Sequence, residues 1–94
     1  MFGIIVLEVL ILKIIAKPIE CVVVYEKNNS PNPIRFRYKD SKQKEHVIHV
    51  DRVSKVEKSK MAGIDALVYT CFTNDKVYEL KFEIHTCKWV LFRI

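Results

Sequence analysis

Apolar and polar positions alternate most regularly near the end of the chain. Between Val77 and Ile84, the side chains of Tyr78, Leu80, Phe82 and Ile84 fall on one side and those of Glu79, Lys81 and Glu83 on the other. This period of two marks a strand with one wet face. Ile34 to Tyr38 repeats it, with Ile34, Phe36 and Tyr38 opposed to Arg35 and Arg37. Ile19 to Glu26 is β-branched and apolar and reads as a strand, as do His46 to Val53, Ala66 to Thr73 and Lys88 to Ile94. Polar clusters separate these runs at Lys27 to Pro33, Lys39 to Lys44 and Asn74 to Lys76. Lys17-Pro18 is expected to break any element before it. Ser54 to Asp65 is open: Val50, Val53 and Val56 fit a helical spacing, while Met61 to Gly63 reads as a loop.

The last hairpin decides the fold class. A loop of two residues (Thr86-Cys87) or four (His85 to Lys88) pairs Ile84 with Trp89 and Phe82 with Leu91, and sets Val90, Phe92 and Ile94 on the charged face. A loop of three reverses the faces. In either register the final strand is apolar on both sides, and so is Cys21 to Tyr25. A one-sided sheet does not accommodate two such strands. The expected fold is therefore all-β: a small antiparallel barrel or strongly curled sheet of five to six strands, with its outer wall partly covered. The N-terminal segment or a second subunit would supply the cover.

The chain divides into an apolar N-terminal segment, residues 1–16, and a β domain, residues 17–94. Apart from Gly3, Glu8 and Lys13, the first sixteen residues are apolar. A spanning helix needs about 20 apolar residues, and Glu8 would sit near its middle, so no transmembrane segment is expected. The segment reads as an extra strand, a short covering helix or a start-site artefact. With 94 residues, 50% of them hydrophobic, and only two glycines, the chain is neither disordered nor built around a Gly-rich phosphate loop. Three cysteines and no signal-peptide pattern indicate reduced thiols and a cytoplasmic protein.

The net charge of +5 is concentrated. Arg35 to Lys60 holds nine basic residues and four acids, a difference of +5, and the remainder of the chain is neutral. A focused positive field attracts polyanions. Arg35 and Arg37, extended by Arg52 and Lys55, would form a strand face for DNA or RNA phosphates. Phe36 and Tyr38 point the other way, so binding would be to backbone and salt-sensitive. The competing readings are a solvated face that keeps the domain soluble, and a protein–protein or homo-oligomer module built on the apolar outer strands.

Signs of catalysis are sparse. Neither nucleotide-loop nor nucleophile-elbow motifs occur. Glu79 and Glu83 lie about 13 Å apart along a strand, too wide for a glycosidase pair. His85 and Cys87 share a face if their strand continues, whereas His46 and His49 point oppositely in a strand. With no C-x-x-C pattern, the expectation is no metal, no cofactor and no enzyme activity.

Pro31 to Tyr38, Ile48 to Val53 (IHVDRV), Lys60 to Gly63 (KMAG) and Tyr78 to Ile94 (YELKFEIHTCKWVLFRI) carry a resemblance. From about Lys17 onward the chain resembles a family of small uncharacterised proteins of spore-forming Gram-positive bacteria. It is also faintly similar to a small β domain that accompanies error-prone repair polymerase cassettes. The first resemblance implies no function; the second implies a DNA-associated role.

Overall fold

A computed structural model describes residues 14–25, 30–74 and 76–94. They form seven strands: β1 (Ile14–Tyr25), β2 (Pro31–Lys39), β3 (Glu45–His49), β4 (Arg52–Met61), β5 (Ile64–Phe72), β6 (Val77–Glu83) and β7 (Lys88–Arg93). All pairings are antiparallel, and the strand order is β3-β2-β1-β7-β6-β5-β4. Among the described residues no helix is long and apolar enough to cross a membrane. The alternatives for the N-terminal segment fall on residues 1–13, outside the described residues; Ile14 to Ala16 belong to β1.

β1 makes the sheet fold over on itself. Its first half, to Ile19, pairs with β7, and its second half, from Glu20, pairs with β2. A small layer (the second half of β1, β2 and β3) therefore lies against a large one (the first half of β1, then β7, β6, β5 and β4). Phe36 is the small layer's fully buried ring and meets Tyr78 edge-on, with ring centroids 5.4 Å apart. Tyr69, Cys71, Leu80, Phe82, Trp89 and Leu91 complete the core from the large layer. The Tyr69 hydroxyl donates to the Pro31 carbonyl, tying the two layers across a buried contact.

The all-β expectation holds, but the barrel and the strand count do not. The edge strands β3 and β4 are consecutive in the chain, yet no ladder joins them. The reason is local. The Val50 amide still donates to Ile34 on β2 (2.9 Å), and the next amide, Asp51, donates to Phe72 on β5 (2.8 Å). The chain crosses between layers in one peptide step, so β3 and β4 run end to end and cannot pair side by side. This crossing divides the expected His46 to Val53 strand. The open segment after it is β4, closed onto β5 by Ala62-Gly63, both at positive φ, as the tight primed hairpin turn requires.

Three irregularities explain other departures. A register shift between Val53 and Lys55 makes Ser54 an extra residue. Val53 opposite Cys71 and Val56 opposite Tyr69 then fall on the same side of the sheet, Val53 packed on the core and Val56 exposed beyond it, which is how a strand acquired an apparent helical spacing. A second shift sets Leu80 opposite Leu91 and Glu79 opposite Arg93. Phe92 is the extra residue, and Ile94 turns inward to pack on the core instead of outward. Phe92 itself is only 6% exposed on the outer wall, with Lys81 and Arg93 over its ring. Third, the β6–β7 loop is Ile84 to Cys87, closed by the Cys87 amide on Glu83 (2.8 Å) with Cys87 at φ 57°. Its even length keeps the expected facing, but Trp89 opposes Phe82, not Ile84.

Two proline expectations are corrected. β1 runs through Lys17-Pro18, and β2 starts at Pro31 inside the expected turn cluster. Pro18 precedes the first β2 pairing, at Glu20, and Pro31 and Pro33 precede the first β3 pairing, at Arg35. At each of these positions the strand has one neighbour only, where a missing N–H is tolerated.

Candidate interaction surface

Arg35 and Arg37 are set on the outer face of the small layer by the β2 alternation that buries Phe36. Arg52 and Lys55 stand on β4, at the edge of the large layer. The fold does not gather the four into one cationic row. Arg37 is already engaged: its Nε donates to Glu20 Oε2 (2.9 Å), Nη2 reaches the same oxygen, and Nη1 lies 3.4 Å from Glu45 Oε1. The hydrogen bond to Glu20, then the charges of Glu20 and Glu45, raise its pKa further. The Arg52 guanidinium sits 4.4 Å from the Phe72 ring centroid, a cation–π contact. Lys55 Nζ lies 3.1 Å from Glu57. Arg35 alone of the four has no carboxylate or ring partner among the described residues.

The β4 cations have a different logic. Lys55 opposes Thr70 on the outer face, whereas Lys58 opposes Leu67 on the core face. Basic residues thus flank both sides of an exposed edge strand, which also carries the Ser54 bulge. Lysines and bulges are the usual means of preventing edge-to-edge pairing. Much of the positive excess guards an edge.

The other edge is unguarded. β3 reads Glu45-His46-Val47-Ile48-His49, with no lysine, proline or register shift. The Val50 amide points to β2, and the β2–β3 ladder keeps an unbroken register. Alternation therefore turns the main-chain groups of His46 and Ile48 toward β2 and those of Glu45, Val47 and His49 toward the open side. A groove of about 440 Å³ runs beside this edge, with Thr73, Asn74 and Lys76 on its far wall.

Beside it, the outer face of the small layer sets exposed aliphatic side chains among Glu20, Arg35, Arg37 and Glu45. Val22, Val24 and Val47 are exposed, Val47 at 56%, and so is Ile34: expected on the buried face with Phe36, it is instead the extra residue where the β1–β2 register shifts. Val22, Arg35 and His49 form one cross-strand row, and Glu20, Arg37 and Val47 the next. A depression of about 330 Å³ lies between these rows. Sequence reasoning noticed that Cys21 to Tyr25 is apolar on both faces, but not that β3 would end a sheet. The edge position depends on the layer crossing at Val50-Asp51, which no local signal announces.

The chemistry-bearing residues are held in structural roles. The Asp40 carboxylate accepts from the Lys42 and Lys44 amides (2.8 and 3.0 Å) and lies 2.9 Å from His46 Nε2. The His46 ring stacks on Tyr38, 5.0 Å between centroids. These contacts, that of His46 foremost, hold the Asp40 pKa below its ordinary value and fix the turn that launches β3. Burial pushes the Cys21 and Cys71 thiols up to about 12, far from a thiolate at neutral pH. His85 is drawn to Asp65 (3.1 Å), while the Cys87 sulfur lies 3.9 Å from the Ile84 carbonyl, so the two form no nucleophile pair. Among the described residues no three of His, Cys, Asp and Glu converge as a metal site would need. Compared with known proteins, the chain matches no family model, no curated protein and no solved structure.

Proposed function

We propose that the protein is a non-enzymatic binding module that takes up an extended segment of a partner polypeptide as an added strand on β3. The observation that carries this reading is the contrast between an edge guarded by cations and a bulge and an edge guarded by neither. Strand addition draws affinity from main-chain hydrogen bonds and selectivity from the flanking side chains. The exposed aliphatic face around Val22 and Val47 would supply the flanking contact. A cytoplasmic setting, in which Cys21, Cys71 and Cys87 stay reduced, suits such a module.

The test is retention of a partner from nuclease-treated native lysate by the wild-type chain and by Val47→Lys. The reading expects a protein that survives nuclease and is lost with the variant. Retention that nuclease abolishes, or that Val47→Lys leaves unchanged, overturns it. A second reading, DNA or RNA backbone binding at Arg35, Arg37, Arg52 and Lys55, is supported by Arg35, which has no carboxylate or ring partner among the described residues. It requires binding to short DNA or RNA that weakens steeply with salt and weakens further in Arg35→Ala.

A further inference from the structure

We infer that the strand added to β3 is β3 of a second copy of this chain, paired antiparallel about Val47. The inference rests on the strand-addition reading above and names its partner. Two independent features of β3 select this occupant.

The first is the main-chain pattern. Glu45, Val47 and His49 each offer an N–H and a C=O to the open side, three donors and three acceptors. In an antiparallel pair of identical strands, hydrogen-bonded partners must both come from this outward set. Centring on Val47 pairs Val47 with itself and Glu45 with His49 of the other copy in both directions. Every outward group then finds a partner. Sliding the pairing by two residues leaves some of them without one.

The second feature is charge. On the outer face, Lys39 lies opposite Glu45, and Arg35 lies opposite His49. In the centred register the other copy's Glu45 continues the row Val22, Arg35, His49 and is followed by its own Lys39. Each Glu45 then stands between its own Lys39 and the His49 of the other copy. Arg35, which has no carboxylate partner among the described residues of the single chain, would lie two strand spacings from that Glu45, about 10 Å between backbones, within reach of two long side chains. Between the two charged rows, Val47 meets Val47, covering an exposed aliphatic with its own copy. The arrangement is isologous, so each contact is made twice. The two three-stranded layers would become one continuous six-stranded layer.

A five-residue edge buries little area, so the association is weak, with Kd of the order of 100 µM. Sedimentation equilibrium of the full chain, over concentrations from about 10 µM to about 1 mM that bracket such a Kd, tests it on the wild type and three variants. Val47→Lys sets two ammonium groups face to face and should weaken association about tenfold. Glu45→Lys faces His49 and Arg35 of the other copy and should weaken it several-fold. The double variant Glu45→Lys/His49→Glu restores opposite charges at both sites and should recover affinity close to that of the wild type. Circular dichroism establishes that each variant is folded; if Val47→Lys is not, the Glu45 pair still decides. A wild-type monomer at 1 mM, on the order of ten times the expected Kd, overturns the inference. So does association that Glu45→Lys leaves unchanged, or that the double variant fails to recover. A monomer that still retains a lysate protein through β3 would overturn only the homotypic pairing. A monomer that retains none would overturn the strand-addition reading as well.

Discussion

β3 and β4 sit at opposite ends of one strand order, are neighbours in the chain, and are built to opposite rules. β4 is ten residues long, contains a bulge, and places Lys55 on one face and Lys58 on the other. β3 is five residues long, regular, and centred on an exposed valine. A long flat edge would be a liability, and charge suppresses it. A short edge is tolerable without guards, and is then free to serve as a docking strand. A basic stretch in a sequence need not be a binding site. Here much of it marks the edge that is kept from binding, while the lysine-free edge at the other end of the strand order is the one left available.

Separating the two layers should have the largest effect. Phe36→Ala removes the small layer's fully buried ring and should cost about 3–5 kcal/mol in denaturant unfolding. Amides of β2 and β3 should lose hydrogen-exchange protection before those of the β4–β5 hairpin. Tyr69→Phe deletes the hydroxyl that donates to Pro31, leaving that carbonyl unpaired. A loss of roughly 1–3 kcal/mol is expected. Loss of protection in β4 first would show that the small layer does not hang on these contacts.

Replacing Lys55, Lys58 and Lys60 by threonine should leave the melting temperature within a few degrees of wild type, since surface changes cost about 0.5 kcal/mol or less each. Light scattering should nonetheless rise with concentration as β4 becomes adhesive. A smaller effect is expected at the hairpin tip. Ala62 takes φ 51°, a conformation that alanine adopts at a cost of about 1–2 kcal/mol. Ala62→Asn, which tolerates it, should stabilise β4–β5 by roughly 0.5–1 kcal/mol in thermal or chemical melts. The smallest effect concerns the launch of β3. Because the folded Asp40 pKa is depressed, its contribution is present above the unfolded carboxylate range and is lost as pH falls through the folded value. An NMR titration should place the Asp40 midpoint below that of an unstructured peptide. Asp40→Asn should flatten the acid-side change in β3 chemical shifts.

How far the sequence revealed this molecule follows from which interactions are local. The alternation in Tyr78 to Glu83 reads directly as β6, and the even loop parity of the last hairpin places Phe82, Trp89 and Leu91 on one core face. The bulges at Ser54 and Phe92 are invisible to a fixed period. Each adds one residue and so disguises a strand as a helix, or an inward side chain as an outward one. The layer crossing at Val50-Asp51 is harder still, because it depends on Ile34 and Phe72, which are remote in the chain. The same holds for the nominated cations. Nothing near Arg37 in sequence predicts that Glu20, seventeen residues away, would hold it, and only the strand registers show that Arg35 stands between Val22 and His49. The exposed aliphatics of the small layer are half legible, since Val22 and Val24 alternate with the half-buried Cys21 and Val23, but their continuation into β3 needs the fold.

The most direct measurement is amide hydrogen exchange by NMR, residue by residue, as a function of protein concentration. His46 and Ile48 should be protected throughout. Glu45, Val47 and His49 should exchange freely when dilute and gain protection as concentration rises, while β4 amides do not change. Protection at Glu45, Val47 and His49 that never varies, or a gain along β4 instead, would contradict pairing through the β3 edge.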